Sequence, residues 1–436
     1  MKEVSRRDFL KYVGAGALGL VAGPKLLPAL GRGLFQLTDA SDVVQCFHDG
    51  ASSGSTINEA VVQVMMDASI KALTGLNDVG EAWKSIFPGI AQSSTVSIKA
   101  CNGNGLIPTH PAVVRCMING LARMNVGGSS FPKNNVIVWE DHDSQLTQAG
   151  FTIYDGADPD TVRCFGTDHA GIGYDSDVTL NINGTSAHPS KILSQMSDYV
   201  INAPTLRTHN LSEVTVSMKN HYGSVNARQH TNMCNPALPA LSQQIRDVIT
   251  PNNIQKLFVV DGLFGLYSGG PNGPPNFNPK LLLMSRDTVA CDAQAQNVIN
   301  EERQRQGLGS LDAAFIRTAA EPPYSLGSLD IKLIELNNPG IGESGRTAPG
   351  DGLFEVSPDP VRDRARVTFA ISRQGAVSLE LLNAAGRTEA RLFAGTLNKG
   401  RHHFDLRAGR RLPAGTYFLR LNNAGATRVR EVKVVR

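Results

Sequence analysis

Apolar residues along this chain follow two rhythms. Over most of its length they come as short runs, at 96–100 (VSIKA), 135–139 (NVIVW), 199–203 (YVINA) and 256–260 (KLFVV). Such runs read as strands buried on both faces. Between the first two, residues 111–124 place Val113, Val114, Met117 and Leu121 at helical spacing. Strand–helix alternation of this kind predicts an α/β main domain, with a mixed or parallel sheet and flanking helices. Polar residues follow soon after each run: Asn102, Glu140-Asp141, His209 and Asp261. In open α/β sheets ligands bind beyond the carboxyl ends of strands, so these positions are the first site candidates.

The second rhythm begins near residue 353. Segments 366–371, 376–382, 401–405, 416–421 and 428–435 largely alternate apolar and polar residues. Ala384-Ala385-Gly386-Arg387 and Pro413-Ala414-Gly415 supply turns between them. This predicts a C-terminal all-β, immunoglobulin-like sandwich over residues 353–436. Residues 343–352 are small and polar and include a proline, as a linker should, and they close a main domain spanning 37–342. Charge changes sign at the same place. From Leu353 onward there are 16 Lys and Arg against 7 Asp and Glu, a balance of +9, whereas the whole 436-residue chain carries +3. The part before Leu353 is therefore net acidic. No Lys/Arg run interleaves with aromatics, so nothing suggests a nucleic-acid partner.

The first 31 residues read as an address. Ser5-Arg6-Arg7-Asp8-Phe9-Leu10-Lys11 fits the twin-arginine pattern S-R-R-x-F-L-K, with Arg6 and Arg7 as the recognition pair. A short, mildly apolar stretch rich in Gly and Ala follows, then Lys25. That stretch is too short and too glycine-rich for a stable membrane helix. The expected partner is the twin-arginine translocase, and the expected location is the periplasm, the cell surface or the extracellular space. Ala29-Leu30-Gly31 offers a small-x-small cleavage point near residue 31. The six cysteines, Cys46, Cys101, Cys116, Cys164, Cys234 and Cys291, contain no C-x-x-C pair. Iron–sulfur clusters and zinc ribbons thus lack a motif, and buried free thiols are the expectation for a chain folded in a reducing compartment.

Several ordered motifs resemble those of the domain of unknown function 362 family. Val200-Ile201-Asn202-Ala203-Pro204-Thr205-Leu206-Arg207-Thr208-His209 is similar to its V-I-N-x-P-x-L-K-x-H segment, with Arg207 at the usual lysine. Val214-Thr215-Val216-Ser217-Met218-Lys219-Asn220-His221-Tyr222-Gly223 is similar to its V-T-x-x-x-K-N-H-Y-G segment. Ser97-Ile98-Lys99, Val260-Asp261-Gly262 and Arg286-Asp287-Thr288-Val289-Ala290-Cys291-Asp292 resemble further landmarks in the same order. The resemblance is to the branch with twin-arginine signals, and it implies a fold and a site without supplying a reaction. Beyond residue 353, Ser357-Pro358-Asp359-Pro360, Pro413-Ala414-Gly415-Thr416-Tyr417-Phe418 and the basic end resemble the sorting domain of type IX secretion substrates. The immunoglobulin-like domain of hook-capping proteins is also similar. The resemblance implies type IX secretion machinery as a partner.

Three chemistries remain open for the polar residues of the motifs. His209, His221 and His230 could ligate a metal ion, with Asp261 as an oxygen donor, although their spacing matches no compact metal motif. His209, His221 and Lys219 could instead act as catalytic acids and bases. Lys99, Asn102, Arg207, Asn220 and Asp261 could bind a ligand, the cations clamping a phosphate or carboxylate. The sequence therefore points to an exported protein acting on an anionic small molecule, either a cofactor- or metal-dependent enzyme or a non-catalytic binding or envelope protein. No cofactor follows from the sequence. Asp287 suits the cap of a helix starting near Val289. Gly50-Ala51-Ser52-Ser53-Gly54 fits a nucleophile elbow by letter, but the helix pattern starts too late, near Asn58.

Overall fold

Val136–Glu140 shows how the main sheet is built. Val136 and Val138 face one side and join the apolar cluster of Met65, Met66, Trp83 and Val113, while Ile137 and Trp139 face the other, with Val289, Ala295 and Phe315. Alternation with a period of two puts apolar side chains on both faces, which requires a cover on each. In this computed structural model the described residues are 40–340 and 354–435, apart from 104, 157, 159, 250–253, 359, 372–373, 384–387, 399, 409–411 and 424–425. The twin-arginine segment with Arg6 and Arg7, the cleavage region, the linker at 343–352 and the turn at 384–387 lie outside them.

Ten strands form the sheet: β1 (Ser41–Phe47), β2 (Val96–Lys99), β3 (Val136–Glu140), β4 (Arg163–Gly166), β5 (Tyr199–Asn202), β6 (Thr205–His209), β7 (Glu213–Thr215), β8 (Gln255–Leu266), β9 (Leu281–Ser285) and β10 (Ile331–Asn337). Their spatial order is β10-β1-β9-β8-β5-β2-β3-β4. The five strands from β8 to β4 are mutually parallel, β9 is antiparallel to β1 and β8, and β10 is parallel to β1. The sheet is thus mixed. Strand β8 is long enough to pair twice, with β5 along its first half and with β6 along its second. Strand β7 folds back antiparallel on β6, setting Arg207 opposite Thr215.

Helices α1 (Glu59–Thr74), α2 (Val79–Ile86) and α3 (Pro111–Ala122) cover one face. In α1 the buried positions Val62, Met65, Met66, Ser69 and Ile70 fall on one helical stripe. Asn58 caps its start, and Gly75 ends it in the left-handed conformation at φ 71°, which glycine adopts without steric cost. Helices α4 (Asp143–Gln148) and α5 (Ser217–Asn220) are short and lie beyond strand ends. Helices α6 (Ala237–Gln244), α7 (Thr288–Arg305) and α8 (Ala314–Ala320) pack on the opposite face. Ser52 sits in a two-residue pairing with Thr56-Ile57, before α1, and hydrogen-bonds Asn278. All six cysteines are buried free thiols. Among the described residues no helix is long and apolar enough to cross a membrane.

Beyond residue 353 the regular elements among the described residues are all strands. β11 (Phe354–Ser357), β12 (Arg364–Ile371) and β15 (Gly400–Arg407) form one antiparallel sheet. β13 (Gly375–Asn383), β14 (Thr388–Leu397), β16 (Gly415–Asn423) and β17 (Ala426–Val434) form a second. Val367, Phe369, Leu379, Leu381, Leu419 and Leu421 make one apolar cluster drawn from both sheets.

Candidate functional site

The carboxyl ends of β2, β3 and β5 deliver Lys99, Glu140 and Asn202 to one buried polar floor. Lys99 is fully buried, and its Nζ donates to Glu140 Oε1 at 2.6 Å and to the Ala100 carbonyl at 2.7 Å. Glu140 also accepts from the backbone N–H groups of Asn102 at 2.7 Å and Asp141 at 2.9 Å. Asn220 donates to Asn202 Oδ1 at 2.8 Å and to the Lys99 carbonyl at 3.2 Å, and Asn202 in turn donates to the Ser217 carbonyl. Gly223 lies against this pair so closely that a Cβ there would sit 2.5 Å from Glu140 Oε1. The K-N-H-Y-G segment is held from the far side by Asp292, which accepts from Ser217 N at 2.8 Å, Ser217 Oγ at 2.5 Å and Met218 N at 3.1 Å. Burial drives the Asp292 carboxyl up to about 7 despite those donors.

Above the floor is a cavity of about 210 Å³. Its walls include Cys101, Glu140, Asp141, Gln145, Arg207, His209, Thr215, Lys219, Arg228, His230, Pro271 and Asn272. Lys219 is 6% exposed, and its Nζ rests 3.7 Å from the centre of the Tyr222 ring and 3.9 Å from Cys234 Sγ. Among the described residues no carboxylate pairs with it, and burial lowers its ammonium to about 8. Arg207, 5% exposed, donates to the Ile107 carbonyl at 3.3 Å and to Cys101 Sγ at 3.2 Å, while its Nε–H has no partner among the described residues. His209 Nδ1 accepts from Leu211 N at 2.9 Å, so the proton of the neutral ring sits on Nε2. Burial first, then the nearby Lys219, Arg207 and His230, depress His209 to about 3. Arg228 is taken: it pairs with Asp141, which also accepts from Tyr174 OH at 2.5 Å.

The loop over the cavity is pinned. A Cβ on Gly270 would lie 1.8 Å from the Thr208 carbonyl, and Gly270 N donates to Thr208 Oγ1 at 3.2 Å. Only glycine allows that approach of loop to strand.

Five of the candidate residues take places other than a cavity clamp or metal ligand. Lys99 is neutralised by Glu140. Asn102 accepts from Thr109 N at 3.1 Å with its Oδ1, beneath the cavity rather than on its wall. His221, 1% exposed, is held between Ser224 Oγ at 2.9 Å and Gln255 Oε1 at 2.7 Å, outside the cavity, where burial lowers it to about 4. Asp261 accepts from His110 N at 2.8 Å and His110 Nδ1 at 2.7 Å at the start of α3, also outside the cavity. His230 reaches the rim, edge-on to Tyr222. His209, His221 and His230 are therefore not gathered around one point. Among the described residues no three His, Cys, Asp or Glu side chains are grouped to hold a metal ion. Arg207, His209, Lys219 and Asn220 do come together. Sequence reasoning missed Cys101, Gln145, Thr215 and Arg228. Glu140 and Asp141 carried the strand-end signal, whereas Arg228 carries none. Asp287 caps α7, accepting from Val289 N at 2.8 Å and Ala290 N at 3.0 Å.

A mixed α/β sheet with a cation-rich cavity at the carboxyl ends of its parallel strands defines the class of protein. Residues 99–297, which contain every cavity residue named here, match the family described as Domain of unknown function (DUF362), so this segment carries that domain. No curated protein matches the chain. Solved structures similar to parts of it include an uncharacterized protein from Bacillus anthracis str. Ames, at 16% identity over 20% of this chain and 85% of that one, with a TM-score of 0.16. Another is the alkylpurine DNA glycosylase AlkC of Pseudomonas fluorescens, bound to DNA containing an abasic site analog. It is 14% identical over 20% of this chain and 30% of its own, with a TM-score of 0.16. A Thermotoga maritima protein is 9% identical over 58% of this chain and 60% of its own, with a TM-score of 0.32. The chain thus spans less than two thirds of the latter two.

Proposed function

We propose that this chain is an exported protein whose main domain binds a small anionic molecule in the cavity between Arg207 and Lys219. One observation carries the reading: among the described residues, the buried cations Arg207 and Lys219 of the cavity lining have no carboxylate, and the Arg207 Nε–H has no partner. A buried donor left unpaired is costly, and a ligand acceptor would satisfy it. Arg207, Lys219 and the Nε2–H of His209 all donate, which suits the acceptor-only oxygens of a carboxylate or phosphate. Thr215 Oγ1 is a further unpaired atom of the same lining, and its hydroxyl can donate to the ligand.

Calorimetry of the full chain with inorganic phosphate and with pyruvate tests this. Binding of at least one of them, lost in Arg207→Gln and Lys219→Met, is expected. Binding that survives both changes, or no binding of either anion, overturns it. A catalytic role is a second reading, favoured by an amine lowered to about 8 beside a neutral imidazole in one cavity.

Export rests on the S-R-R-D-F-L-K segment, and the C-terminal module is proposed as an immunoglobulin-like sorting domain for type IX secretion. Its two antiparallel sheets over one apolar cluster support that reading. Arg6→Lys with Arg7→Lys should leave precursor in the cytoplasm, because lysine lacks the planar guanidinium. Normal export of that variant rejects the assignment. Removal of residues 353–436 should stop surface delivery in the native host, and unchanged delivery rejects the sorting role.

A further inference from the structure

The main domain holds two buried lysines on adjacent elements, and their surroundings assign them different chemistry. Lys99 is paired with Glu140 at 2.6 Å and also donates to the Ala100 carbonyl. Lys219 meets only an aromatic face, a thiol and the cavity. Burial works most strongly against the ammonium, the neighbouring Cys234 favours it, and the cation Arg228 pushes the same way as burial. A fraction of an amine in that position is neutral, and so nucleophilic, near neutral pH.

We propose that Lys219 forms a Schiff base with a 2-oxo carboxylate seated in this cavity. The inference rests on the anion-binding reading, since the carboxylate takes the place of the missing partner of Arg207. In the step, the lone pair of neutral Lys219 Nζ adds to the carbonyl carbon, and the C=O π pair moves to oxygen. That oxygen takes one of the two former Nζ protons, relayed through water, giving a carbinolamine. The nitrogen lone pair then expels the hydroxyl group, which takes the remaining Nζ proton and leaves as water, and the C=N bond forms. One water is released, nothing is oxidised or reduced, and no further reactant is needed. A substrate with a carboxylate next to its carbonyl matches the arrangement, because a guanidinium with a free Nε–H and an amine line one cavity.

The test uses the full chain with pyruvate as probe and sodium cyanoborohydride as trap, read by intact mass and peptide mapping. One reduced adduct per chain, on Lys219 and not on Lys99, is expected. Lys219→Arg should abolish that adduct while calorimetry still shows pyruvate binding, since the charge is kept. Inorganic phosphate should compete with adduct formation in the unmodified protein. Pyruvate binding without an adduct on Lys219 overturns the Schiff base and leaves the anion site standing. Adducts spread over surface lysines, unaffected by phosphate, overturn it as well. Absence of binding by both pyruvate and phosphate removes the anion site and this inference together.

Discussion

Replacing Lys99 with methionine is the sharpest test of how the polar floor is held. The change keeps most of the stem volume and removes the ammonium. Glu140, 3% exposed, would then keep only the Asn102 and Asp141 N–H donors for its charge. Breaking a buried ion pair by removing one partner costs roughly 3–5 kcal/mol. The two surviving donors place Lys99→Met near the lower end, about 3 kcal/mol. Glu140→Gln should cost less, because the pair then leaves an ammonium that still donates to the Ala100 carbonyl. The double variant should be more stable than the sum of the two losses implies, by at least about 1 kcal/mol, the coupling expected of groups in contact. Urea unfolding followed by tryptophan fluorescence suits the measurement. The chain has two tryptophans, Trp83 and Trp139, both in the main sheet's cores, and Trp139 lies 5.4 Å beneath Lys99 Nζ. A loss below about 1 kcal/mol for Lys99→Met, or a cycle that is simply additive, would refute the reasoning.

Lys219→Met should behave in the opposite way, leaving the urea midpoint unchanged or raised, since no buried carboxylate is orphaned; a destabilised variant would show that the ammonium is structural. Anion affinity of the unmodified protein should fall as pH rises through about 8, where Lys219 loses its charge, while stability should rise over the same range because the unfolded chain still binds that proton; flat calorimetric affinity from pH 7 to 9 would contradict this. His221 is held neutral, its buried ring lowered to about 4 against an ordinary value of 6.5. Stability should therefore decline as pH drops from 6.5 towards 4, by about 3 kcal/mol for this residue, and His221→Gln should flatten that slope in acid melts. Gly223→Ala should cost about 1–3 kcal/mol, because its Cβ would press on Glu140 Oε1 at 2.5 Å and Lys99 Nζ at 3.0 Å; an unchanged melting temperature would mean the floor yields freely.

The strands at the centre of the sheet were legible because burial on both faces leaves unbroken apolar runs, as in VSIKA and NVIVW. The outer strands were not. Strand β10 reads Ile-Lys-Leu-Ile-Glu-Leu-Asn and is half exposed, so its pattern is that of any surface segment. Strand β6 follows β5 after only Ala203-Pro204, and nothing local says that β8 is long enough to accept both. In the site, Lys219 and His221 looked equivalent in sequence. At about 100° per residue, positions two apart on a helical turn face nearly opposite ways. Lys219 consequently lines the cavity, and His221 turns to Ser224 and Gln255. Lys99 and Asp261 carried the right chemistry, but their partners, Glu140 and His110, lie 41 and 151 residues away in sequence. Pairings at such range are invisible to local pattern.

The seating of Gly270 on the Thr208 carbonyl bears on how fast the cavity fills and empties. A covering loop fastened to its strand has little freedom to surrender when a ligand arrives, so the ordering entropy is settled at folding and not at each encounter. Association then needs no slow closure and is governed by diffusion and the attraction of the two cations. For the proposed anion site, substitutions at Arg207 and Lys219 should therefore act mainly on the rate of release.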